Sequence, residues 1–282
     1  MEIEKIEKYN DHAFTLVDYY LKNVKGGIKE EEVKQICECG VSEEFAINLL
    51  FARALDVESE EFSRIYFSTI IELINAEELL QNAYYKSIKI SEASEGEYTL
   101  KNYTLPAYEV FVKDDIKIEG KKVTPDLGIF NNEFTFPAIF KNGEMKMRVS
   151  PNEINTTRHN IDYARGKVAI FGLGLGYFAY MCSLKKEVSE ITIIEKDENI
   201  IALFEKNILP QFENKAKIKI INADAYEYIN SLNDGVFDYV FIDIYHDAED
   251  GKKVYLTMHD KIKDYKRTKV EFWIEKSIRY IV

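Results

Sequence analysis

Three glycines, Gly172, Gly174 and Gly176, follow directly on the β-branched and aromatic run Lys167–Phe171, and this is the first place where the chain could do chemistry. Backbone that turns tightly at a strand's end needs residues without a Cβ, and bare backbone lets a ligand come close. The amides opening the next helix, read over Tyr177 to Leu184, would meet a polar or anionic group. Glu195 stands 23 residues after Gly172, at the end of the apolar run Ile191–Ile194, where its carboxylate could accept both hydroxyl protons of a ribose. Asp224 and Asp243 follow two further apolar runs, Lys217–Ile221 and Phe237–Ile242. Neighbouring glycines also occur for conformational reasons alone, and each acid could simply cap the following helix, as Asp197 is expected to. Capping does not require Glu195, Asp224 and Asp243 all to sit at strand exits, so the series points to a nucleotide-binding crevice.

Such a crevice needs parallel strands whose carboxyl ends share one edge. Strand, glycine turn, helix and strand recur from residue 151 to 282, which predicts an α/β fold: a Rossmann-like domain with a mostly parallel, doubly wound sheet. Val270–Glu275 reads as its fifth strand. Residues 1–95 read as an acidic helical domain. Apolar positions from Ile6 to Val24 recur at helical spacing until Gly26-Gly27, and the repeated string Ser-Glu-Glu-Phe at Ser42 and Ser59 announces two capped helices, the second expected from Glu60 to about Ser87. Residues 96–150 read as a β-rich bridging segment, with strands near Tyr108–Lys113 and Phe134–Phe140 and turns at Asn131-Asn132 and Asn142-Gly143. Ser150 and Pro151 suit the start of a helix.

The segment from about Gly166 onward resembles the class I S-adenosylmethionine-dependent methyltransferase family. Phe171–Gly176 looks like its first motif, with Gly-x-Gly-x-Gly spacing where nicotinamide-binding proteins more usually show Gly-x-Gly-x-x-Gly. The resemblance implies S-adenosylmethionine as cofactor, held by Gly172, Leu173, Gly174, Gly176, Tyr177, Glu195, Lys196, Asp224, Ala225 and Asp243. Glu195 would hold the ribose, Asp224 with the Ala225 amide the adenine edge, and Asp243 would lie near the methionine moiety or acceptor. Asp243 and His246 are the candidate catalytic bases. A narrower likeness is to the spermidine-synthase-like branch, which also places β-structure and a short acidic helix, here Glu153 and its neighbours, before the first motif. The chain departs from that branch at the glycine motif, which lacks its Asp, and at Asp243-Ile-Tyr-His-Asp247-Ala248, which replaces Asp-x-x-Asp-Pro. The acidic cluster Asp243, Asp247, Glu249 and Asp250 could still hold an amine. The family's sixth and seventh strands would have no sequence left after Glu275, so the domain is expected without them.

The bulk properties narrow the partners. A formal charge of -12 disfavours DNA and RNA, whose affinity rests on Lys and Arg neutralising phosphates. The acid excess sits in the first part, with 10 basic and 20 acidic residues before Gly96 against 27 and 29 from there on. Three cysteines, Cys37, Cys39 and Cys182, form no disulfide framework, and with no leader or membrane span in view a cytoplasmic protein is expected. No metal site is expected, because the Cys37/Cys39 pair lacks further ligands nearby. The reading is a methyltransferase acting on an unidentified small-molecule or protein acceptor. Two alternatives stay open: a spermidine-synthase-like aminopropyltransferase, and a non-catalytic cofactor-binding module whose helical domain recruits a partner.

Overall fold

The computed structural model of the chain describes residues 3–57 and 59–282. It has two compact units: residues 1–79 with 104–135, and residues 80–103 with 136–282. The first opens with α1 (Ile3–Asn23), α2 (Glu30–Cys37), α3 (Glu43–Ala54) and α4 (Glu60–Tyr66). The side chains of Ser42 and Ser59 accept from the Phe45 and Phe62 amides at 3.2 and 3.3 Å, so both predicted caps form. After α4 the chain enters β1 (Ile71–Leu73) and α5 (Ala76–Leu79), then α6 (Ala83–Ser87), so the helix expected to reach Ser87 stops at Tyr66.

The reason is tertiary. Ile71 is fully buried, and β1 pairs in parallel with β5, a strand met some fifty residues later. Buried Asn48 on α3 acts as a further strand for it, because its side-chain amide donates to the Ile71 carbonyl and its oxygen accepts the Ile71 amide, both at 2.9 Å. Asn48→Ala should therefore leave both Ile71 backbone groups unpaired in the core. We expect about 2–3 kcal/mol of lost stability, read as a lower urea midpoint at unchanged slope.

From α6 the chain runs through β2 (Ala93–Glu95) and β3 (Tyr98–Leu105), then β4 (Phe111–Glu119) and β5 (Lys122–Ile129), then β6 (Phe134–Lys141) and β7 (Glu144–Arg148). Residues 96–150 are therefore shared between the units rather than forming one bridge. The sheet β1-β5-β4 belongs to the first unit, which is accordingly mixed rather than helical, and the order β2-β3-β6-β7 makes a second sheet. Asn142 and Gly143 turn β6 into β7 with φ of +52° and +84°, the two-residue hairpin their types favour.

The second unit continues with α7 (Pro151–Tyr163), β8 (Gly166–Phe171), α8 (Tyr177–Ser183), β9 (Val188–Glu195), α9 (Glu198–Asn207), β10 (Ile218–Asn222), α10 (Ala225–Ser231), β11 (Tyr239–Ile242), α11 (Ala248–Ile262), β12 (Lys269–Phe272) and α12 (Glu275–Ile281). Its strands form a wholly parallel sheet in the order β10-β9-β8-β11-β12. Both faces are covered, as a parallel sheet requires. Ala169, Phe171 and Val240 pack with Ile229, Val254 and Met258 of α10 and α11, while Phe241 stacks on Phe178 of α8 at 4.2 Å between ring centres. Each large side chain so buried contributes about 1.5–3 kcal/mol. The order reverses between β8 and β11, which puts the ligand crevice of such a sheet at their carboxyl ends. The fifth strand ends at Phe272, three residues earlier than its sequence implied, and Glu275 opens a helix instead.

Candidate functional site

The glycines after β8 serve three different ends. Gly172 has φ +100°, and a Cβ there would stand 2.0 Å from the Asp243 carbonyl oxygen, so the turn lies directly against the chain leaving β11. Gly176 has φ +71° and fits under the Phe204 ring, which a Cβ would meet at 2.3 Å. Gly174 has φ +52° and no atom within 4 Å of its Cβ position, so this tip faces open space. The turn is closed by the Gly176 amide on the Leu173 carbonyl at 2.8 Å.

Glu195, at the end of β9, holds this turn. One carboxylate oxygen accepts the Leu173 amide at 3.1 Å and the other accepts the Asp197 amide at 2.8 Å. Asn222, its neighbour in register on β10, donates to the carbonyls of both Glu195 and Lys196. Asn222 has no charge and no motif spacing to mark it in the sequence; only strand register gives it this place. The second unit also braces the turn from behind, since the Tyr84 hydroxyl donates to the Leu175 carbonyl at 2.7 Å and Asn82 donates to the Tyr177 hydroxyl.

The other expected positions divide. Asp224 caps α10, accepting the Tyr226 and Glu227 amides on one oxygen, with Ala225 buried beside it. Asp197 caps α9 and also accepts the Tyr98 hydroxyl at 2.7 Å; burial opposes its ionisation, but these bonds outweigh it and its pKa lies below the usual carboxylate value. Leu173 and Tyr177 turn inward, with burial pushing the Tyr177 hydroxyl up to about 12, whereas the Lys196 side chain is exposed. Tyr245 is buried and its hydroxyl donates to the Trp273 carbonyl. Cys182 is buried, with its thiol pushed up to about 12 by loss of hydration.

Glu153 stands in the first turn of α7 and Arg148 at the end of β7. Asp243 and Arg148 both act electrostatically on Glu153, the first raising its pKa and the second opposing that rise, while burial carries the carboxyl well above its ordinary value. Burial pushes Asp243 up to about 7 and pulls Arg148 down. Arg148 is nevertheless an exposed residue, and Glu153 and Asp243 are half-buried. An acid in a first turn looks like ordinary dipole complementation, so neither the type nor the spacing of Glu153 announced its raised pKa.

A pH test follows from the raised Asp243. In the folded chain it binds a proton up to about pH 7, while the unfolded chain releases it near the ordinary aspartate value of 3.8. Its contribution to stability is thus present below that lower value and is lost as pH rises to about 7. Asp243→Asn should therefore melt a few degrees above the wild type at pH 8, and the gain should shrink towards pH 4 in calorimetry.

The remaining acids of the expected cluster do not converge on Asp243. Asp247 caps α11 through the Asp250 amide at 2.9 Å, and Asp247, Glu249 and Asp250 are all exposed. His246 is exposed too; the Lys146 ammonium, and less strongly His246, hold Glu144 of β7 below the usual carboxylate value.

Among the described residues no three His, Cys, Asp or Glu side chains are arranged to hold a metal ion, and no helix is long and apolar enough to cross a membrane. No family model matches the chain, and no curated protein does. Solved structures do. The chain is similar to the spermidine synthase of Thermotoga maritima, with 18% identity over 59% of this chain and 51% of that one and a TM-score of 0.33. It is similar also to a probable spermidine synthase of Corynebacterium glutamicum, with 18% identity over 39% and 44% and a TM-score of 0.31. A third is a SAH-bound methyltransferase of Podospora anserina, with 20% identity over 40% and 46% and a TM-score of 0.32. The chain spans about half the length of the solved structures it matches. Likeness this distant assigns neither donor nor acceptor.

Proposed function

We propose that this chain is a transferase that uses S-adenosylmethionine, and that it moves the methyl group to a small-molecule or protein acceptor. The observation that carries this reading is the tie between Glu195 and the Leu173 amide, which places a carboxylate beside a glycine turn whose tip at Gly174 is open. A nucleoside presented there meets bare backbone on one side and an acceptor for its ribose hydroxyls on the other. The free oxygen of Asp224 and the Ala225 amide would address the adenine edge, and the sulfonium would lie towards Asp243.

In the transfer the acceptor's lone pair attacks the methyl carbon, the carbon–sulfur bond breaks, and its electron pair stays on sulfur as a neutral thioether. An acceptor that carries a proton must lose it, and Asp243, with its pKa near 7, is suited to take it at neutral pH. Aminopropyl transfer is the second reading, favoured by the Asp243 carboxyl, which could accept a proton from an amine near neutral pH. Calorimetry with S-adenosylmethionine, its demethylated product, its decarboxylated form and NAD tests the donor. Preference for either carboxylate-bearing sulfur compound, with release of S-adenosylhomocysteine across an acceptor panel, is expected. Binding of NAD alone would overturn the donor, and turnover only of the decarboxylated form would move the assignment to aminopropyl transfer.

A further inference from the structure

We propose that Tyr84 and Tyr98 are positioning residues of the donor crevice, whose hydroxyls hold the glycine turn and the Glu195 carboxylate in the binding arrangement before a ligand arrives. The inference rests on the donor reading above and extends it to a segment that precedes the parallel sheet. Residues 82–98 touch the elements of that sheet at three places. At the start, Asn82 donates to the Tyr177 hydroxyl at 2.9 Å and the Tyr84 hydroxyl donates to the Leu175 carbonyl at 2.7 Å. In the middle, the Lys89 amide and carbonyl both bond the side-chain amide of Gln211, in the turn after α9, at 2.9 Å. At the end, the Gly96 turn lies against Asn199 of α9, which a Cβ would meet at 2.8 Å, and the Tyr98 hydroxyl donates to the Asp197 carboxylate at 2.7 Å.

The glycine turn has a freedom that its own residues cannot remove. Gly176 must lack a side chain because the Phe204 ring fills the space, and a residue without a Cβ takes φ of either sign. The Leu175–Gly176 peptide unit can therefore turn over, which would send its carbonyl and its amide to opposite faces. Two bonds oppose this. The Gly176 amide donates to the Leu173 carbonyl at 2.8 Å, and the Leu175 carbonyl accepts from Tyr84. Tyr84 is fully buried and stands edge-on to the rings of Tyr177 and Tyr180, both at 5.6 Å, so its hydroxyl is delivered from a fixed frame. Tyr98, also buried, acts on the other wall. It holds one oxygen of Asp197 while the second oxygen caps α9, and so fixes the Asp197 amide that donates to Glu195 at 2.8 Å. Glu195 is thus held by the glycine turn through one oxygen and by the arm that Tyr98 anchors through the other.

Tyr84→Phe and Tyr98→Phe keep the rings and remove only the hydroxyls. Tyr239→Phe is the control, because that buried hydroxyl also bonds a carboxylate, Glu271 at 2.5 Å, but opens β11 at the end away from the crevice. Calorimetry with S-adenosylhomocysteine on the full chain, below the melting temperature of every variant, should show binding weakened about threefold to tenfold in each of the first two and unchanged in the control. Amide NMR without ligand gives a readout that lost stability alone would not move. The wild type should show one resonance each for Gly174 and Gly176. Tyr84→Phe should show a second arrangement that disappears on saturation with S-adenosylhomocysteine, and the fold loss in affinity should equal the inverse of the fraction left in the first arrangement. Tyr98→Phe should behave likewise at the Leu173 and Asp197 amides. Either variant tests the scheme by itself should the other fail to fold. Unchanged affinity, an affinity loss without a second arrangement, or an equal loss in Tyr239→Phe overturns the positioning role, while binding by the wild type leaves the donor reading standing. No binding of S-adenosylhomocysteine by the wild type removes the donor reading and the positioning role together.

Discussion

Glu195→Ala should weaken S-adenosylhomocysteine binding by about 2–4 kcal/mol, roughly thirtyfold to several hundredfold, when measured by calorimetry. Two losses add up. The ribose hydroxyls lose a charged acceptor, and the Leu173 amide loses the bond that holds the glycine turn in place. The Asp197 amide loses its acceptor in the same step, so a smaller fall in stability, about 1–2 kcal/mol, should accompany the effect. Glu195→Gln separates the two, because one amide oxygen can still accept from Leu173 while the charge is gone. It should recover part of the affinity, while the Asp197 amide still lacks its acceptor and the loss of stability remains. Unchanged affinity in Glu195→Ala would mean that the ribose does not lie there.

The second large effect belongs to Gly172→Ala, with an expected loss of about 3–5 kcal/mol in urea denaturation. A left-handed φ of +100° is strained for any residue with a side chain, and the new Cβ would meet main chain at 2.0 Å rather than a movable side-chain end. Either β8 or the exit of β11 would have to shift. Gly174→Ala is the matched contrast. Its φ is also positive, which costs about 1–2 kcal/mol, but nothing lies within 4 Å of the added methyl group. That variant should fold and should still bind the donor poorly, because the methyl would occupy the space the ligand is proposed to fill. If Gly174→Ala binds as the wild type does, the donor does not approach that face of the turn.

The parallel sheet was legible because its signals are local. A buried strand is a short apolar run, a turn that needs left-handed backbone shows glycine, and an acid at a strand exit is visible as a single letter. β8 to β11 accordingly lie within a few residues of the runs that announced them. The stretch from Phe67 to Ser87 was not legible in the same way. Its apolar residues suit a helix as well as a strand, and the choice was made by β5 and by the Asn48 side chain, neither of which is near in sequence.

The site divides along the same line. The sequence by itself determined the glycine turn, the carboxylate at the end of β9 and the order in which acids leave the strands, because backbone geometry demands those residue types where they occur. Only the tertiary structure decided what these acids bond to and how far they lose water: Asp224 and Asp247 cap helices, Glu195 holds the Leu173 amide, and burial raises Asp243. Contact between residues of separate elements depends on how those elements pack, and loss of hydration depends on everything that surrounds a group. Neither quantity is carried by the spacing of residues along a chain.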